Sequence, residues 1–561
     1  MQCIYEYIKL LISQVAGVEA VIERPKNREF GHFATPVAFT LAKSRKLPPQ
    51  ALAKELCEQL RAHKDYAQTF SDISEVKGYI NCTISPALLN RFAVMALESN
   101  GIGGITGALP ESSAKQSSTP TPKGETILLE YVSANPTGPL HIGHARGAVL
   151  GDSLQRLGSY LGHSISSEYY VNDAGAQISK LGRSIYLAGR ELLGDSVEYD
   201  DECYKGEYII EIAQLALEKF GREMFATQNP ESKVKAIVEL GDFGKGLMLK
   251  EIKDNLAACG IHFDNYVSEK SLFSRWDSTL DKLKAHQGVY ESEGKLWLAS
   301  SAKGDEKDRV IVREDGEPTY LAGDIIYHSD KFARNFARYI NIWGADHHGY
   351  IARVKASIEY LGYDSSKLQV LLAQMVSLLK DGKPYKMSKR AGNFILMRDV
   401  VADIGADALR FVFLSKKPDT HLEFDVATLS KQDASNPVFY INYANARIHT
   451  LLKKSPLEPS AILQADLAQK VDSSAALVAA RELVFEALLL PRVAQMAWEE
   501  KSLQKVCEYA KSLAGEFHAF YNAHKILEST FQAQLLKASM LVSLSLTQAL
   551  DLLGIEAKTQ M

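Results

Sequence analysis

The chain has no excess of basic charge: 64 Lys and Arg stand against 68 Asp and Glu, a formal net charge of -4. A global positive field for nucleic acid is thereby excluded, and any such partner must be held by local patches. Cysteine is sparse and unpatterned. Cys3, Cys57, Cys82, Cys203, Cys259 and Cys507 are scattered with no C-x-x-C, which argues against a zinc ribbon or disulfide framework and for a reducing compartment. A signal-peptide core is missing too, since "MQCIYEYIKLLISQVAGVEAVIERP" places Glu6 and Lys9 inside its apolar stretch. That spacing suits an amphipathic helix rather than a secretion signal or membrane span. A cytoplasmic location without a membrane partner is expected.

What is present is 561 residues at 46% hydrophobic content, enough for several cored domains. The Gly/Ser/Thr/Pro-rich run "GIGGITGALPESSAKQSSTPTPKGET" reads as a linker. It sets off an N-terminal α+β domain over 1–100, with the linker itself at 101–125. Beyond it, "TILLEYV" reads as a strand, "GAVLGDSLQRLGSYLG" as a helix with Leu150, Leu154, Leu157 and Leu161 on one face, and "HSISSEYYV" as a second strand. Strand, helix, strand is one unit of a parallel sheet, so 126–435 is expected to be a Rossmann-like α/β domain. A helical insertion is expected at about 180–260, and the sheet resumes with "YINIWGAD" and "LQVLLAQMVSLL". From 436 to 561 the pattern is that of an all-α bundle.

In "EYVSANPTGPLHIGHARGAVLGD", His141 and His144 stand three apart after a Pro/Gly turn. A metal pair is disfavoured, because zinc needs further ligands and helical His pairs usually stand four apart. Two buried structural imidazoles remain open. A phosphate site uses more of the residues. The helix would begin near His141, where unpaired N–H groups and the dipole attract anions. Gly143 leaves room for a nucleotide against the backbone, and both histidines could donate to phosphate oxygens. A second element, "LLKDGKPYKMSKRAGNF", puts Lys386, Lys389 and Arg390 after an Asp-Gly turn. By itself it could be an exposed cationic hairpin.

"HIGH" followed far downstream by "KMSKR" resembles the signature pair of class I aminoacyl-tRNA synthetases. "PTYLAGDIIYH", "WGADHHGYIARVKA", "GADALRF", "NREFGHFATPVAFTLAK", "KGYIN" and "NPVFYINYANARI" narrow the resemblance to the arginyl-tRNA synthetases, over nearly the whole chain. The resemblance implies ATP-dependent attachment of L-arginine to tRNA(Arg) through an arginyl-adenylate, with activation waiting for bound tRNA. Pre-placed donors stabilise charge spreading over phosphate oxygens, and losing one typically costs roughly 3–4 kcal/mol in the barrier. It implies His141, His144 and Lys389 as catalytic, with Lys386 as a helper. Many members lack the second lysine of this element, and this chain keeps it as Lys389. For ATP it implies Gly143, His141, His144, Gly344, Asp346, Met387, Ser388 and Lys389. For arginine it implies Glu130, Ser133, Asn135, Tyr320, Asp324 and His347.

Carboxylates suit a guanidinium, which they meet with paired N–H bonds. Without the resemblance, Asp324 could be the N-cap of a helix over "IIYHSDKFAR" and Glu130 a solvent-facing residue at the sheet rim. The N-terminal domain and the bundle are implied to bind tRNA, with Tyr79, Asn81, Tyr440, Tyr443 and Arg447 as candidates for stacking or hydrogen bonding to unpaired bases. Magnesium is expected with the ATP phosphates and no all-protein metal site is foreseen; a monomer is expected. Two rivals are another nucleotidyl transferase with the same signature pair and a non-enzymatic RNA-binding relative. Tyr320 with Asp324 speaks against the first, and intact His141, Gly143, His144 and Lys389 against the second.

Overall fold

The structure is a computed structural model that describes residues 3–102, 124–226, 229–385, 395–469 and 474–561. Lys386, Met387, Ser388 and Lys389 lie outside the described residues. The described part forms two compact units, one from within 121–159 and 163–436, the other from within 1–120, 160–162 and 437–561.

The first unit is built on five parallel strands: β1 (Thr126–Glu130), β2 (Ser164–Val171), β3 (Asn265–Ser268), β4 (Arg338–Gly344) and β5 (Leu368–Ala373). Ile127, Leu128 and Leu129 of β1 are all buried, as a central parallel strand covered on both faces requires. The order is β5-β4-β1-β2-β3. From β1 the chain runs outward first one way and then the other, so the topology reverses between β1 and β4. Ligands of such sheets bind in the crevice at the carboxyl ends of the strands at that point.

Helix α1 (Ile142–Tyr160) returns the chain from β1 to β2. It buries Leu150, Leu154 and Leu157, as the sequence pattern suggests, whereas Leu161, expected on the same face, falls just past the helix end and is half-buried. Asp152 is buried as well and accepts from Arg156 and from the buried Arg410. Between β2 and β3 come α2 (Ala176–Leu192), Glu207–Phe220, Glu223–Ala226 and α3 (Pro230–Ala257). Helices α2 and α3 touch backbone to backbone: a Cβ on Gly182 would lie 2.0 Å from the Ile237 carbonyl oxygen, and one on Gly241 2.7 Å from that of Ile178.

Between β3 and β4 lies an antiparallel sheet that the sequence patterns do not announce: Val289–Ser292, Lys295–Leu298 and Arg309–Val312. Strands of four residues are too short to display a period. Helices α4 (Tyr320–Ala333) and α5 (Ile351–Tyr360) flank β4 in sequence. The run "LQVLLAQMVSLL", expected as one piece of sheet, breaks at Gln374–Met375. Val376–Lys380 joins a different sheet with Lys383–Pro384 and Leu422–Asp425. Buried Arg146 holds the break, donating to the carbonyls of Gln374 and Lys417 at 2.9 Å each. Asp381 and Gly382, at φ 55° and 71°, close the hairpin with the two left-handed residues such a turn requires.

In the second unit, strands Phe33–Thr35, Tyr79–Ile84 and Phe70–Val76 form an antiparallel sheet with helices including Ile4–Ala16, Pro49–Ala62 and Pro86–Glu98. The C-terminal part is helical, from Pro437–Lys454 to Gln532–Leu552. The two parts pack together. Phe33 meets Phe485 edge to face at 5.4 Å, Arg24 and Arg28 pair with Glu486, and Lys537 Nζ donates to Asn90 Oδ1 at 2.8 Å. Among the described residues, Gln532–Leu552 is the one helix long and apolar enough to cross a membrane. Its apolar residues are the core of the bundle, with Leu535, Leu541, Val542 and Leu546 fully buried.

Candidate active site

The first part of the site is the turn that ends β1. Ser133 N–H donates to the Tyr131 carbonyl at 3.0 Å around Val132, which is held at φ 70°. This is a γ-turn of the rarer hand, and a β-branched residue there is strained. The strain is held by neighbours: Ser133 Oγ donates to Glu130 Oε1 at 3.0 Å and accepts from Tyr170 N–H at 3.1 Å, while Tyr169 OH donates to the Ala134 carbonyl at 2.7 Å. Glu130 is not at a solvent-facing rim. It is 4% exposed, and its Oε2 takes the Lys331 ammonium at 2.8 Å. Asn135, half-buried, follows in the same turn.

Next in the chain come the histidines. Their rings stack at 3.6 Å. His141 Nδ1 accepts the Gly143 N–H at 3.1 Å, which places the proton of a neutral ring on Nε2. Burial lowers the pKa of His141 against the raising effect of Asp346, and burial together with His141 takes His144 down to about 3. Both are therefore neutral donors, one N–H each. A Cβ on Gly143 would come within 3.0 Å of His141 Cε1, so the glycine makes room for this ring. The expectation of free N–H groups at the helix start needs correction. Ile142 N–H donates to the Ile395 carbonyl at 2.9 Å, Gly143 N–H to His141, and His144 N–H to the His141 carbonyl at 3.0 Å. What this helix start can offer an anion is its dipole and its imidazoles. The Ile395 contact, with Met397 N–H on the Leu140 carbonyl at 2.9 Å, binds the histidine segment to the chain just after "KMSKR".

The third part is acidic. Asp324 is no N-cap: α4 begins at Tyr320 after Thr319, and Asp324 lies in its second turn. Its carboxylate accepts from Tyr350 OH. Glu269 sits against the neighbouring Gly323, where a Cβ would lie 2.1 Å from Glu269 Oε1. Glu269 is 4% exposed and, among the described residues, its Oε2 has no hydrogen-bond partner. Burial, then the charge of Asp324, then Asp173, pushes Glu269 up to about 7; burial, partly offset by Tyr350 and reinforced by Glu130, takes Asp324 up to about 7. Among the described residues neither carboxylate is ion-paired, and burial without a counter-charge is the chief cause of both upward shifts. Sequence reading missed Glu269 and Tyr350. A glycine inside α4, beside Asp324, is the signal of close approach that could have pointed to the first.

Tyr320, 49% exposed, opens α4, and Gly344 ends β4. Asp346 and His347 follow on a 3-10 turn (Ala345–Tyr350), with His347 edge-on to Tyr350 at 6.2 Å. Among the described residues, no group of three or more His, Cys, Asp or Glu could hold a metal ion. In the other unit, Tyr79 is exposed beside Phe39 at 5.2 Å and Asn81 is buried. The Arg447 guanidinium lies between the rings of Tyr443 and Tyr521, 4.5 and 4.4 Å from their centroids, with His518 bridging to Tyr440.

Three family models match the chain: Arginyl tRNA synthetase N terminal domain over 2–84, tRNA synthetases class I (R), catalytic domain over 105–423, and DALR anticodon binding domain over 441–561. The arginine--tRNA ligase of Wolinella succinogenes is 58% identical over 99% of both chains. The chain belongs to the arginyl-tRNA synthetase family. The arginine--tRNA ligase of Nitratiruptor sp. is 52% identical over 98% of each chain. Among solved structures, a putative arginyl tRNA synthetase of Campylobacter jejuni is 53% identical, with a TM-score of 0.76 over 85% of this chain and 100% of that one. The Thermus thermophilus arginyl-tRNA synthetase shares the fold, with a TM-score of 0.72 at 20% identity over 99% of this chain and 100% of that one.

Proposed function

We propose that the crevice at the ends of β1 and β4 binds arginine and ATP for the family's reaction. The chain attaches L-arginine to tRNA in an ATP-dependent reaction. An arginine carboxylate oxygen attacks the α-phosphorus of ATP, pyrophosphate leaves, and the arginyl group then passes from the adenylate to a tRNA hydroxyl with release of AMP. The observation that carries the site assignment is the pair Asp324 and Glu269, two neighbouring desolvated carboxylates with no cation of their own among the described residues. A guanidinium, planar and always charged, is the group that satisfies both. Tyr320, at the start of the same helix, joins this subsite, and His347 the pocket wall.

Glu130 takes the α-ammonium, with Ser133 and Asn135 fixing the turn around it. His141 and His144 donate to the phosphate oxygens as neutral imidazoles, adding hydrogen bonds without adding charge. Gly344 and Asp346 flank the nucleotide. Lys386, Met387, Ser388 and Lys389 complete the ATP site by sequence resemblance alone, with Lys389 as the principal cation. Magnesium takes oxygen ligands and keeps several waters. The imidazoles do not suit it and no cluster among the described residues does, so it is assigned to the ATP phosphates. Tyr79 and Asn81 on one side of the second unit, and Tyr440, Tyr443 and Arg447 in the bundle, are assigned to tRNA. The enzyme acts as a cytoplasmic monomer.

The test is pyrophosphate exchange and aminoacylation against all amino acids, with and without tRNA. Arginine should be charged selectively, Asp324→Asn should chiefly weaken arginine use, and Lys389→Ala should chiefly slow adenylation. Preferential charging of lysine, or loss of ATP affinity alone in both variants, overturns the assignment.

A further inference from the structure

Lys331 is a cationic side chain with no exposure at all, and no part of the reaction described above uses it. Its ammonium donates to Glu130 Oε2 at 2.8 Å and to Asn341 Oδ1 at 2.7 Å, with the Tyr327 ring 4.9 Å away. Asn341 Nδ2 in turn faces His328 Nε2 at 3.4 Å, and His328 Nδ1–H donates to the Asp324 carbonyl at 2.8 Å. This chain of contacts joins the end of β1 to α4 through β4, and every side chain between its ends is buried.

We infer that Lys331 is a positioning residue that acts through Glu130: it fixes the carboxylate that receives the α-ammonium of arginine. The inference rests on the reading of Glu130 given above. Glu130 Oε1 is already turned by Ser133 Oγ at 3.0 Å, and Lys331 fixes the other oxygen. A carboxylate accepts about four hydrogen bonds, so capacity remains for the substrate while neither oxygen is free to rotate away. The same network ends on the main chain of Asp324. The two subsites that grip the ends of one arginine are therefore set in one rigid frame, and binding loses less freedom than it would with a mobile glutamate.

The measurement compares equilibrium binding of arginine and of 5-guanidinopentanoate, which is arginine without its α-amino group, to the full chain. Lys331→Met should weaken arginine roughly 30-fold, the scale of a hydrogen bond to a charged group, and leave 5-guanidinopentanoate within about threefold. A residue that merely supports the fold would weaken both alike. Glu130→Gln should produce the same selective loss, and the double variant K331M/E130Q, which leaves no lone buried charge, should show the same ratio as E130Q alone. An unchanged ratio in E130Q overturns the reading of Glu130. A selective loss in E130Q with none in K331M overturns the role of Lys331 alone. Where K331M does not fold, a ratio in the double variant that differs from E130Q by more than about threefold overturns it equally.

Discussion

Arginine binding should consume ionised carboxylates and therefore be linked to protons. Asp324 and Glu269 are both pushed up to about 7 in the free protein, chiefly by burial and then by neighbouring negative charge. At pH 7 each is about half protonated, so a guanidinium that requires both ionised releases about one proton on binding. The sign follows from the elevated values: affinity is full above pH 8 and is lost as pH falls through 7. With two independent groups at about 7, the dissociation constant for arginine rises about 100-fold from pH 8 to pH 6, and about 10-fold if one carboxylate alone must ionise. Because the two carboxylates bear on each other, the titration belongs to the pair and spreads over a wider range than two independent steps. Calorimetry at pH 6, 7 and 8, in buffers of different ionisation enthalpy, counts the protons directly. Glu269→Gln should reduce the pH slope of the affinity towards that of one group. A dissociation constant flat from pH 6 to 8, with no proton released, would refute the pocket assignment.

Gly143→Ala places a Cβ within 3.0 Å of His141 Cε1, so tRNA-dependent pyrophosphate exchange should fall by roughly tenfold as the ring shifts, with the melting temperature unchanged. His144→Ala removes one donor and should slow adenylation by about 100-fold with arginine affinity intact. With His144 at about 3 in the free protein, single-turnover adenylation at saturating arginine should show no titration near the usual histidine value. Burial raises the pKa of Cys3, Cys57, Cys82, Cys203, Cys259 and Cys507. Alkylation by iodoacetamide at pH 8 should be slow in the folded chain and rapid in urea.

The parts of this protein that sequence reveals are those whose signal is local. The strand before His141, the helix after it and the apolar face of Leu150, Leu154 and Leu157 follow from a period readable within a window of a few turns. Asp324 is legible as a residue type by family resemblance, but its burial beside Glu269 is not, because Glu269 comes from a four-residue helix, Glu269–Leu272, brought alongside only by the fold. Lys331 hides for a similar reason. A lysine in "IIYHSDKFAR" reads as part of a solvated face, and only the sheet that covers α4 turns it inward to Glu130. Two electrostatic features of the candidate site, an acid pair without a cation among the described residues and a buried lysine spoken for by one glutamate, both arise where segments distant in sequence meet. That is the expected result of grafting a site on a sheet of this topology: the strands set positions, and the loops at their carboxyl ends supply charges whose balance exists only in three dimensions. Replacing Glu130 and Lys331 together should therefore disturb the fold less than replacing either one, because a buried charge left alone costs more than the pair contributes.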